Sequence, residues 1–378
     1  MKTRRNLLLT ALCAFLIFPY QIKAQNTSTS DHLYLLVGTY SSGTTPGISV
    51  YDFNPETGEM LYVSDTKGIS NPSFLAVSAD ERFVYAVNEN KGENAAAQSF
   101  AFDKKAGTLT PLNKQPAHGA DPCYISTDRK ARFVVTANYS GGTLTVFPLN
   151  TDGTLKPSFQ QFEYPSDKVS HIHSAVFSPD DKYLFVADLG KDKLFKYEVN
   201  QTKGTDLFLL KGKPEAYEVQ PGSGPRHFTF HPTGKFAYLL NEISGTVTAY
   251  EYKNGNLKEI QYIASDTSDR NRKSCADIHV SPDGRSLYAS NRSSHNGISV
   301  FKIDERSGVL SYVGHQPTGR VPRNFAISPN GKWLLAASHG NDNMIQLFAI
   351  DPVSGLLTEN PDRKVQINQP VCLVFARR

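Results

Sequence analysis

Hydrophobic residues along this chain fall in short runs rich in β-branched and aromatic side chains, separated by Gly, Asn, Asp and Pro. Residues 236–241 (FAYLLN) and 297–303 (GISVFKI) are typical of these runs, and their composition predicts β-strands. Pro-Asp-Gly sequences between neighbouring runs are typical of hairpin turns. No helical periodicity interrupts the pattern. The chain is therefore predicted to be all-β.

The strand pattern repeats along the chain. Stretches such as residues 71–89 (NPSFLAVSADERFVYAVNE) and 224–242 (GPRHFTFHPTGKFAYLLNE) recur six times, and a partial copy occupies residues 369–377. Corresponding first positions, spaced 47 to 53 residues apart, are Pro72, Pro122, Ile172, Pro225, Cys275, Pro322 and Pro370. A period near 50 without helices predicts the four-stranded blades of a β-propeller.

The two ends of the array complement each other. Residues 33–66 carry strands two to four of a blade without a first strand, and residues 370–376 supply a first strand alone. Together they make one composite blade, which gives seven in total. Joining them closes the ring and removes the exposed sheet edges. The predicted fold is a single seven-bladed β-propeller domain spanning residues 25–378, closed when the C-terminal strand joins the N-terminal blade.

The first 24 residues have the pattern of a cleaved secretory signal peptide. Lys2, Arg4 and Arg5 precede the apolar segment 7–18, which is too short to span a bilayer comfortably. No later segment resembles a transmembrane helix. We expect an exported protein, periplasmic or secreted, without membrane insertion after signal removal.

Charge and cysteine content narrow the possible functions. The whole chain has 40 basic and 36 acidic residues, and the signal segment contains four of the basic ones and no acid. The remaining chain is formally neutral, which argues against nucleic-acid binding. Cys123, Cys275 and Cys372 are too few for more than one disulfide bond, and their spacing does not suggest zinc. We therefore expect neither a metal nor a cofactor.

Two positions in each repeat vary in a chemically informative way, and both are predicted to lie around one mouth of the central channel. One place after the first position stand Ser73, Cys123, His173, Arg226, Ala276, Arg323 and Val371. Seventeen places after it stand Thr39, Glu89, Tyr139, Leu189, Glu242, Arg292 and His339. We call these two sets the inner ring and the outer ring. Concave junctions of several elements favour ligand binding.

The charged ring residues come mainly from neighbouring blades. Arg226, Arg292 and Arg323 suit an anionic ligand or a developing oxyanion, and His173 or Glu242 suits proton transfer. Two simpler interpretations stay open. Charged residues at strand ends are often only solvated, and Arg226 and Glu242 can simply pair with each other.

Weaker candidates surround these residues. Cys123 is a nucleophile only with a base beside it, and a buried inert thiol is the simpler interpretation. Asn138 and Tyr139 either bind substrate hydroxyls or end their strand. His227 is a further candidate for a substrate contact. Asp277 and His279 are expected to form a hydrogen bond inside their blade. The loop residues Arg270, Arg272 and Lys273 either bind the anionic tail of a substrate or are solvated.

The motifs GPRH, LLNE and ADIHVSPDGRSLYASNR resemble those of the propeller-type 6-phosphogluconolactonases, the lactonase family, which also contains a fungal carboxy-cis,cis-muconate lactonising enzyme. The resemblance covers the chain from VGTY to QPVCLVF. It implies a metal-independent enzyme acting on a small-molecule lactone. From its muconate branch, it also implies that the active residues correspond to His173, Arg226, Glu242 and Arg292. Arg323 and His339 are expected as further substrate contacts because of their places in the two rings.

The activity expected from this resemblance is hydrolysis of a sugar lactone, with 6-phosphogluconolactone as the family substrate. An exported enzyme would meet little of this phosphorylated substrate, because it is made in the cytosol. The natural substrate can therefore be a different sugar lactone. Two alternatives remain: an exported propeller that binds a glycan or protein without chemistry, and a lactonising cyclase. The oligomeric state and the division of roles between His173 and Glu242 are not predicted.

Overall fold

The computed structural model describes residues 32–202, 207–269 and 273–378, so the predicted signal segment lies outside the described residues. The first fourteen strands are β1 (Leu33–Thr39), β2 (Ile48–Phe53), β3 (Met60–Thr66), β4 (Leu75–Val77), β5 (Phe83–Asn88), β6 (Ala96–Asp103), β7 (Thr108–Pro116), β8 (Pro122–Thr127), β9 (Phe133–Asn138), β10 (Thr143–Pro148), β11 (Gln160–Glu163), β12 (Ile172–Phe177), β13 (Tyr183–Asp188) and β14 (Lys193–Val199). The next fourteen are β15 (Leu209–Glu218), β16 (Pro225–Phe230), β17 (Phe236–Asn241), β18 (Thr246–Lys253), β19 (Asn256–Ala264), β20 (Cys275–Val280), β21 (Ser286–Asn291), β22 (Gly297–Ile303), β23 (Leu310–Pro317), β24 (Pro322–Ile327), β25 (Trp333–Ser338), β26 (Met344–Ile350), β27 (Leu357–Gln366) and β28 (Pro370–Arg377). Two short 3₁₀ turns, Gly92–Asn94 and Ser293–His295, complete the described elements.

These strands form seven four-stranded antiparallel sheets, which confirms the predicted seven-bladed propeller. The composite blade is also confirmed: its strand order is β28-β1-β2-β3, with Leu33 paired to Arg377 and Gly38 to Cys372. The innermost strands β4, β8, β12, β16, β20, β24 and β28 contact one another in turn around the channel. Within the described residues, no helix has the length and apolarity needed to cross a bilayer.

The core is divided into seven apolar clusters, and each cluster lies between two neighbouring blades. Between the fourth and fifth blades, for example, Phe185 packs against Phe228 with ring centroids 5.4 Å apart. Full burial of one such side chain contributes roughly 1.5–3 kcal/mol. Since inner strands such as β5, β9 and β17 are buried along their whole length, each blade needs a neighbour on both sides to cover its apolar residues.

The hairpins between first and second strands lie at the end of the blades opposite the mouth. The Ser-Pro-Asp sequences of these hairpins form hydrogen bonds that close the turn. Ser178 Oγ donates to Asp180 Oδ1 at 2.7 Å and accepts from the Tyr183 N–H at 3.0 Å. Ser281 and Asp283 repeat the first contact at 2.6 Å. These turns set the strand register and leave the other end of the blades for the ring residues.

Candidate functional site

The inner-ring residues project from β-bulges. In the β16–β17 pair, Pro225 faces Asn241 and His227 faces Leu240, so Arg226 is the extra residue of the bulge. His173, Cys123 and Arg323 occupy the equivalent extra position in their own blades. A bulge bends the strand and re-aims one side chain. The same local irregularity therefore directs these four side chains.

Arg226 is one of the most deeply buried side chains in the protein, with 1 % of its surface exposed. Its Nε lies 2.9 Å from Glu242 Oε2, and its Nη1 donates to the Ala276 carbonyl and, at 3.2 Å, to His227 Nε2. The ion pair with Glu242 lacks the alignment of a good hydrogen bond, since the buried Nε–H has no aligned acceptor among the described residues. Arg226 is thus held firmly yet keeps unused donor capacity.

Glu242 joins two guanidiniums through one oxygen. Its Oε2 is also 3.0 Å from Arg292 Nη2, and Arg292 donates to the Ser274 and Cys275 carbonyls as well, at 3.2 and 3.1 Å. Burial raises the pKa of Glu242, but the nearby arginines outweigh that effect, so its pKa lies below the ordinary value. Burial and the charge of Arg292 lower the pKa of Arg226 to about 10. All three groups are therefore charged at neutral pH.

Arg323 belongs to a second cluster, whose other members are Glu89, Tyr40 and Ser73. Arg323 Nη2 is 3.7 Å from Glu89 Oε2, and its Cζ is 5.5 Å from the centre of the Tyr40 ring. Tyr40 OH donates to Glu89 at 3.1 Å, and Ser73 Oγ donates to the same carboxylate. Glu89 stands in the outer ring but is not among the site residues predicted from the sequence. Tyr40 was missed because it lies one residue beyond a ring position.

His173 is neutral in its setting. Its side chain is 5 % exposed, its Nδ1 is 3.7 Å from Cys123 Sγ, and its ring meets the Tyr139 ring edge-on at 5.4 Å. Burial, reinforced by the charge of Arg226, keeps its pKa well below 6.5. Burial raises the pKa of the Cys123 thiol, which stays protonated. A base therefore lies beside Cys123, but the raised pKa of its thiol favours the interpretation of an inert thiol.

Tyr139 and His339 also border the mouth. The Tyr139 ring stacks on His171 with centroids 4.5 Å apart. The His339 ring meets Tyr40 edge-on at 5.8 Å, and its buried Nε2 has no hydrogen-bond partner in the described part of the chain. Burial and the charge of Arg323 lower the pKa of His339 to about 4. His339 therefore keeps a neutral ring nitrogen for a polar ligand.

The Asn138 side chain lies inside its blade and bonds to groups of that blade. Its side chain is fully buried, and its Nδ2 bonds to Thr143 Oγ1 at 2.9 Å and Thr145 Oγ1 at 3.0 Å. Asn241 makes the same two bonds to Thr246 and Thr248 in another blade. The repetition favours a strand-ending role for Asn138, so we leave it out of the proposed substrate contacts.

His227 has protein partners on both ring nitrogens. Asp277 Oδ1 lies 2.7 Å from Nδ1, and Arg226 donates to Nε2. The Asp277–His279 hydrogen bond expected from the sequence is present at 2.9 Å. His227 thus lies behind Arg226 as a supporting group, which argues against its direct contact with substrate.

The loop over residues 265–274 is only partly described. Arg270 and Arg272 lie outside the described residues. Lys273 Nζ bonds within its own loop, to the carbonyl and, at 3.2 Å, to the hydroxyl of Ser268. Lys273 is therefore occupied locally.

A small cavity of about 10 Å³ lies on the channel axis between the two arginine clusters. Its lining residues are Ser73, Phe74, Cys123, Arg226, His227, Arg323, Asn324 and Val371. A larger surface depression of about 780 Å³ lies near Asp283 and Lys332, and none of the ring residues is among the residues that line it. No group of three or more His, Cys, Asp or Glu side chains in the described ranges is arranged to hold a metal ion.

Taken together, the mouth contains three arginines, two glutamates that pair with them, and two neutral histidines. Excess positive charge and buried donors suit a ligand that carries or develops negative charge. The neutral imidazoles can accept a proton.

Comparison with known proteins places this architecture in a family. The seven-bladed β-propeller Lactonase family matches residues 34–375. A 6-phosphogluconolactonase of Formosa agariphila is 38 % identical over 74 % of this chain and 82 % of its own. A proposed 6-phosphogluconolactonase of Bacteroides fragilis has a crystal structure with 48 % identity and a TM-score of 0.87, covering 93 % of this chain and 99 % of its own.

A third relative carries a cellular location in its description. The periplasmic gluconolactonase of Pseudomonas aeruginosa is 35 % identical, with a TM-score of 0.85 over 91 % of this chain and 99 % of its own. These similarities agree with the family resemblance of the GPRH and LLNE motifs. The chain belongs to the Lactonase family of seven-bladed β-propellers.

Proposed function

We propose that this protein is a lactonase that hydrolyses a sugar lactone to its open-chain acid at the mouth of the channel. The observation that carries the proposal is the cluster in which Glu242 holds Arg226 and Arg292 beside the neutral His173. Membership of the Lactonase family and the lactonase names of the relatives support the reaction class.

The proposed reaction begins with a water molecule at the mouth. A base takes its proton as its oxygen bonds to the lactone carbonyl carbon, and the carbonyl oxygen becomes an oxyanion. The guanidiniums of Arg226 and Arg292 stabilise this charge, with Arg323 in support. Collapse of the intermediate breaks the bond between the carbonyl carbon and the ring oxygen. The ring oxygen takes up the proton that the base removed from water, and the resulting hydroxy acid releases its carboxyl proton to solvent to give the hydroxy carboxylate.

His173 is the base that the geometry favours. Glu242 Oε2 already contacts two guanidiniums at 2.9 and 3.0 Å, so uptake of a proton there would disrupt both ion pairs. His173 is neutral, so a ring lone pair is available. Glu242 then keeps the two arginines together against their mutual repulsion. Tyr139 and His339 contribute polar contacts to substrate hydroxyls at the rim.

The relatives leave two sugar lactones as substrates to compare: 6-phosphogluconolactone and unphosphorylated gluconolactone. We propose an exported protein, in which residues 1–24 form a secretory signal and residues 25–378 one propeller domain. The signal pattern and the periplasmic description of the Pseudomonas relative support this location. Outside the cytosol, the unphosphorylated lactone is the expected natural substrate class.

The test is hydrolysis of both lactones by the purified chain 25–378, compared with Arg226→Ala. Because these lactones also open spontaneously, the variant supplies the background rate. Enzyme-dependent hydrolysis that Arg226→Ala loses by about 10²-fold or more supports the proposal. Absence of a rate above background on both lactones contradicts it. If Arg226→Ala hydrolyses the lactones as fast as the parent, the active site lies elsewhere than at this mouth.

A further inference from the structure

Asp277 is a buried carboxylate behind the proposed site. It lies on β20, its side chain is 3 % exposed, and it accepts five hydrogen bonds. The donors are His227 Nδ1 (2.7 Å), His279 Nε2 (2.9 Å), Asn324 Nδ2 (2.5 Å) and the backbone N–H groups of Ile278 (3.0 Å) and Phe325 (3.3 Å). Burial alone raises the pKa of Asp277, but its histidine partners outweigh that effect and lower it.

An ionised carboxylate only accepts hydrogen bonds, so Asp277 places the proton of His227 on Nδ1. The other ring nitrogen, Nε2, then carries a lone pair. Burial and the neighbouring Arg226 charge lower the pKa of His227 to about 4, which keeps the ring in this neutral form. Asp277 thereby makes His227 a hydrogen-bond acceptor on the side that faces the mouth.

Arg226 uses that acceptor. Its Nη1 donates to His227 Nε2 at 3.2 Å and to the Ala276 carbonyl, while its Nε faces Glu242. A guanidinium is planar, so contacts at two of its nitrogens fix the orientation of the whole group. If His227 carried its proton on Nε2, that nitrogen would face Nη1 donor to donor.

We propose that Asp277 is a positioning residue that acts through His227 to hold Arg226 in its productive orientation. This inference rests on the proposed function, in which Arg226 stabilises the oxyanion. It assigns a chemical role to a carboxylate that the reaction itself does not touch. A positioning error of about 1 Å at such a group can cost roughly 100-fold in rate.

The kinetic test is a double-mutant cycle of Asp277→Asn with Arg226→Lys, measured on whichever lactone is the better substrate. Lysine retains the positive charge but lacks the planar group that His227 orients. We expect Asp277→Asn alone to lower kcat about 10- to 100-fold while KM changes little. In the Arg226→Lys background, the same change should lower kcat less than about threefold, because the oriented group is already gone.

His279→Gln is the matched control. It removes another histidine partner of Asp277 on the side away from Arg226, and kcat should stay within about threefold of the parent. Equal losses from Asp277→Asn in both Arg226 backgrounds overturn the inference. So does a loss from His279→Gln as large as that from Asp277→Asn.

His227→Asn replaces Asp277→Asn if the latter does not fold. The asparagine Nδ2 takes the place of the histidine Nδ1 and keeps the bond to Asp277. Its Oδ1 takes the place of the ring carbon Cδ2, so Arg226 loses the acceptor at the Nε2 position. The same dependence on Arg226 is expected, and its absence overturns the inference.

Nitrogen-15 NMR of the His227 ring separates this inference from the proposed function. The parent should show the neutral Nδ1–H tautomer, with an Nε2 resonance that moves in Arg226→Lys and a tautomer that changes in Asp277→Asn. If these shifts occur but no lactone is hydrolysed, the proposed function fails while the linkage between the three residues stands. If the tautomer is already Nε2–H in the parent, the inference fails whatever the activity.

Discussion

Glu242 Oε2 lies 2.9 Å from Arg226 Nε, and this carboxylate is the negative charge that lets a guanidinium with 1 % exposure stay ionised inside the propeller. The same oxygen lies 3.0 Å from Arg292 Nη2. Two positive groups from neighbouring blades are therefore held side by side at a single oxygen. Their spare donors are available for a substrate oxygen that becomes negative.

Glu242→Gln should remove this shared counter-charge. Arg226 and Arg292 would then repel each other and reorient, so kcat/KM should fall about 100-fold, which corresponds to about 2.7 kcal/mol of transition-state stabilisation. Steady-state kinetics on both lactones measure the change. Glu251→Gln, at an exposed position of β18 in the same blade, is the matched control and should change neither activity nor stability. Unchanged kinetics in Glu242→Gln would show that the ion pairs of Glu242 with Arg226 and Arg292 do not contribute to catalysis.

His173→Gln should lower kcat by about 10²–10⁴-fold with little change in KM, because it removes the proposed base and leaves the arginines in place.

Cys123→Ser tests the neighbouring group. Its protonated thiol has no role in the proposed reaction, so kcat should remain within about threefold of the parent. A serine variant without activity would instead make Cys123 the nucleophile.

Asn138→Ala should affect stability and leave substrate binding alone. Removing the buried amide leaves Thr143 and Thr145 without a shared donor, at a cost of about 1–3 kcal/mol in the free energy of unfolding. Urea denaturation measures this cost. Asn241→Ala, with the same two threonine bonds in another blade, should give a loss of similar size. A raised KM in Asn138→Ala at unchanged stability would restore it as a substrate contact.

The buried histidines should make stability depend on pH. In the unfolded chain, His173 and His227 take up protons near pH 6.5, whereas in the folded protein the pKa of His227 is about 4 and that of His173 is well below 6.5. The unfolded state therefore binds more protons over this window, and the free energy of unfolding should fall as pH drops from 7.5 to 5. His279, whose pKa Asp277 raises, contributes in the opposite direction.

Urea denaturation at pH 7.5 and pH 5 measures the slope of this pH dependence. The His173→Gln variant lacks one of the contributing groups, which also include His227 and His339, so its free energy of unfolding should change less between the two pH values. An identical change in parent and variant would contradict the lowered pKa, because it would show that His173 binds protons equally in the folded and unfolded states.

The sequence predicted the fold because each blade repeats the same strand and turn chemistry, and seven copies identify the shared positions. It also located the rings, since Arg226, Glu242 and Arg292 differ from their counterparts in the other blades. It raised the Arg226–Glu242 pairing as one interpretation, and the structure shows that pairing. It did not reveal the Glu89–Arg323 pairing, because these two residues lie far apart in the chain. The bulges were equally invisible, because they depend on register between strands and not on residue type.

The closing strand β28 does more than join the two ends of the ring. The N–H of Leu373 donates to Asn324 Oδ1 at 2.7 Å, and the other end of that amide binds Asp277. The strand that completes the propeller is thereby connected, through one amide, to the carboxylate behind Arg226. Detachment of β28 would break the Leu373–Asn324 hydrogen bond and so loosen the residues behind Arg226, even with the other six blades intact. Closure of the ring and orientation of the arginine at the mouth therefore depend on the same strand.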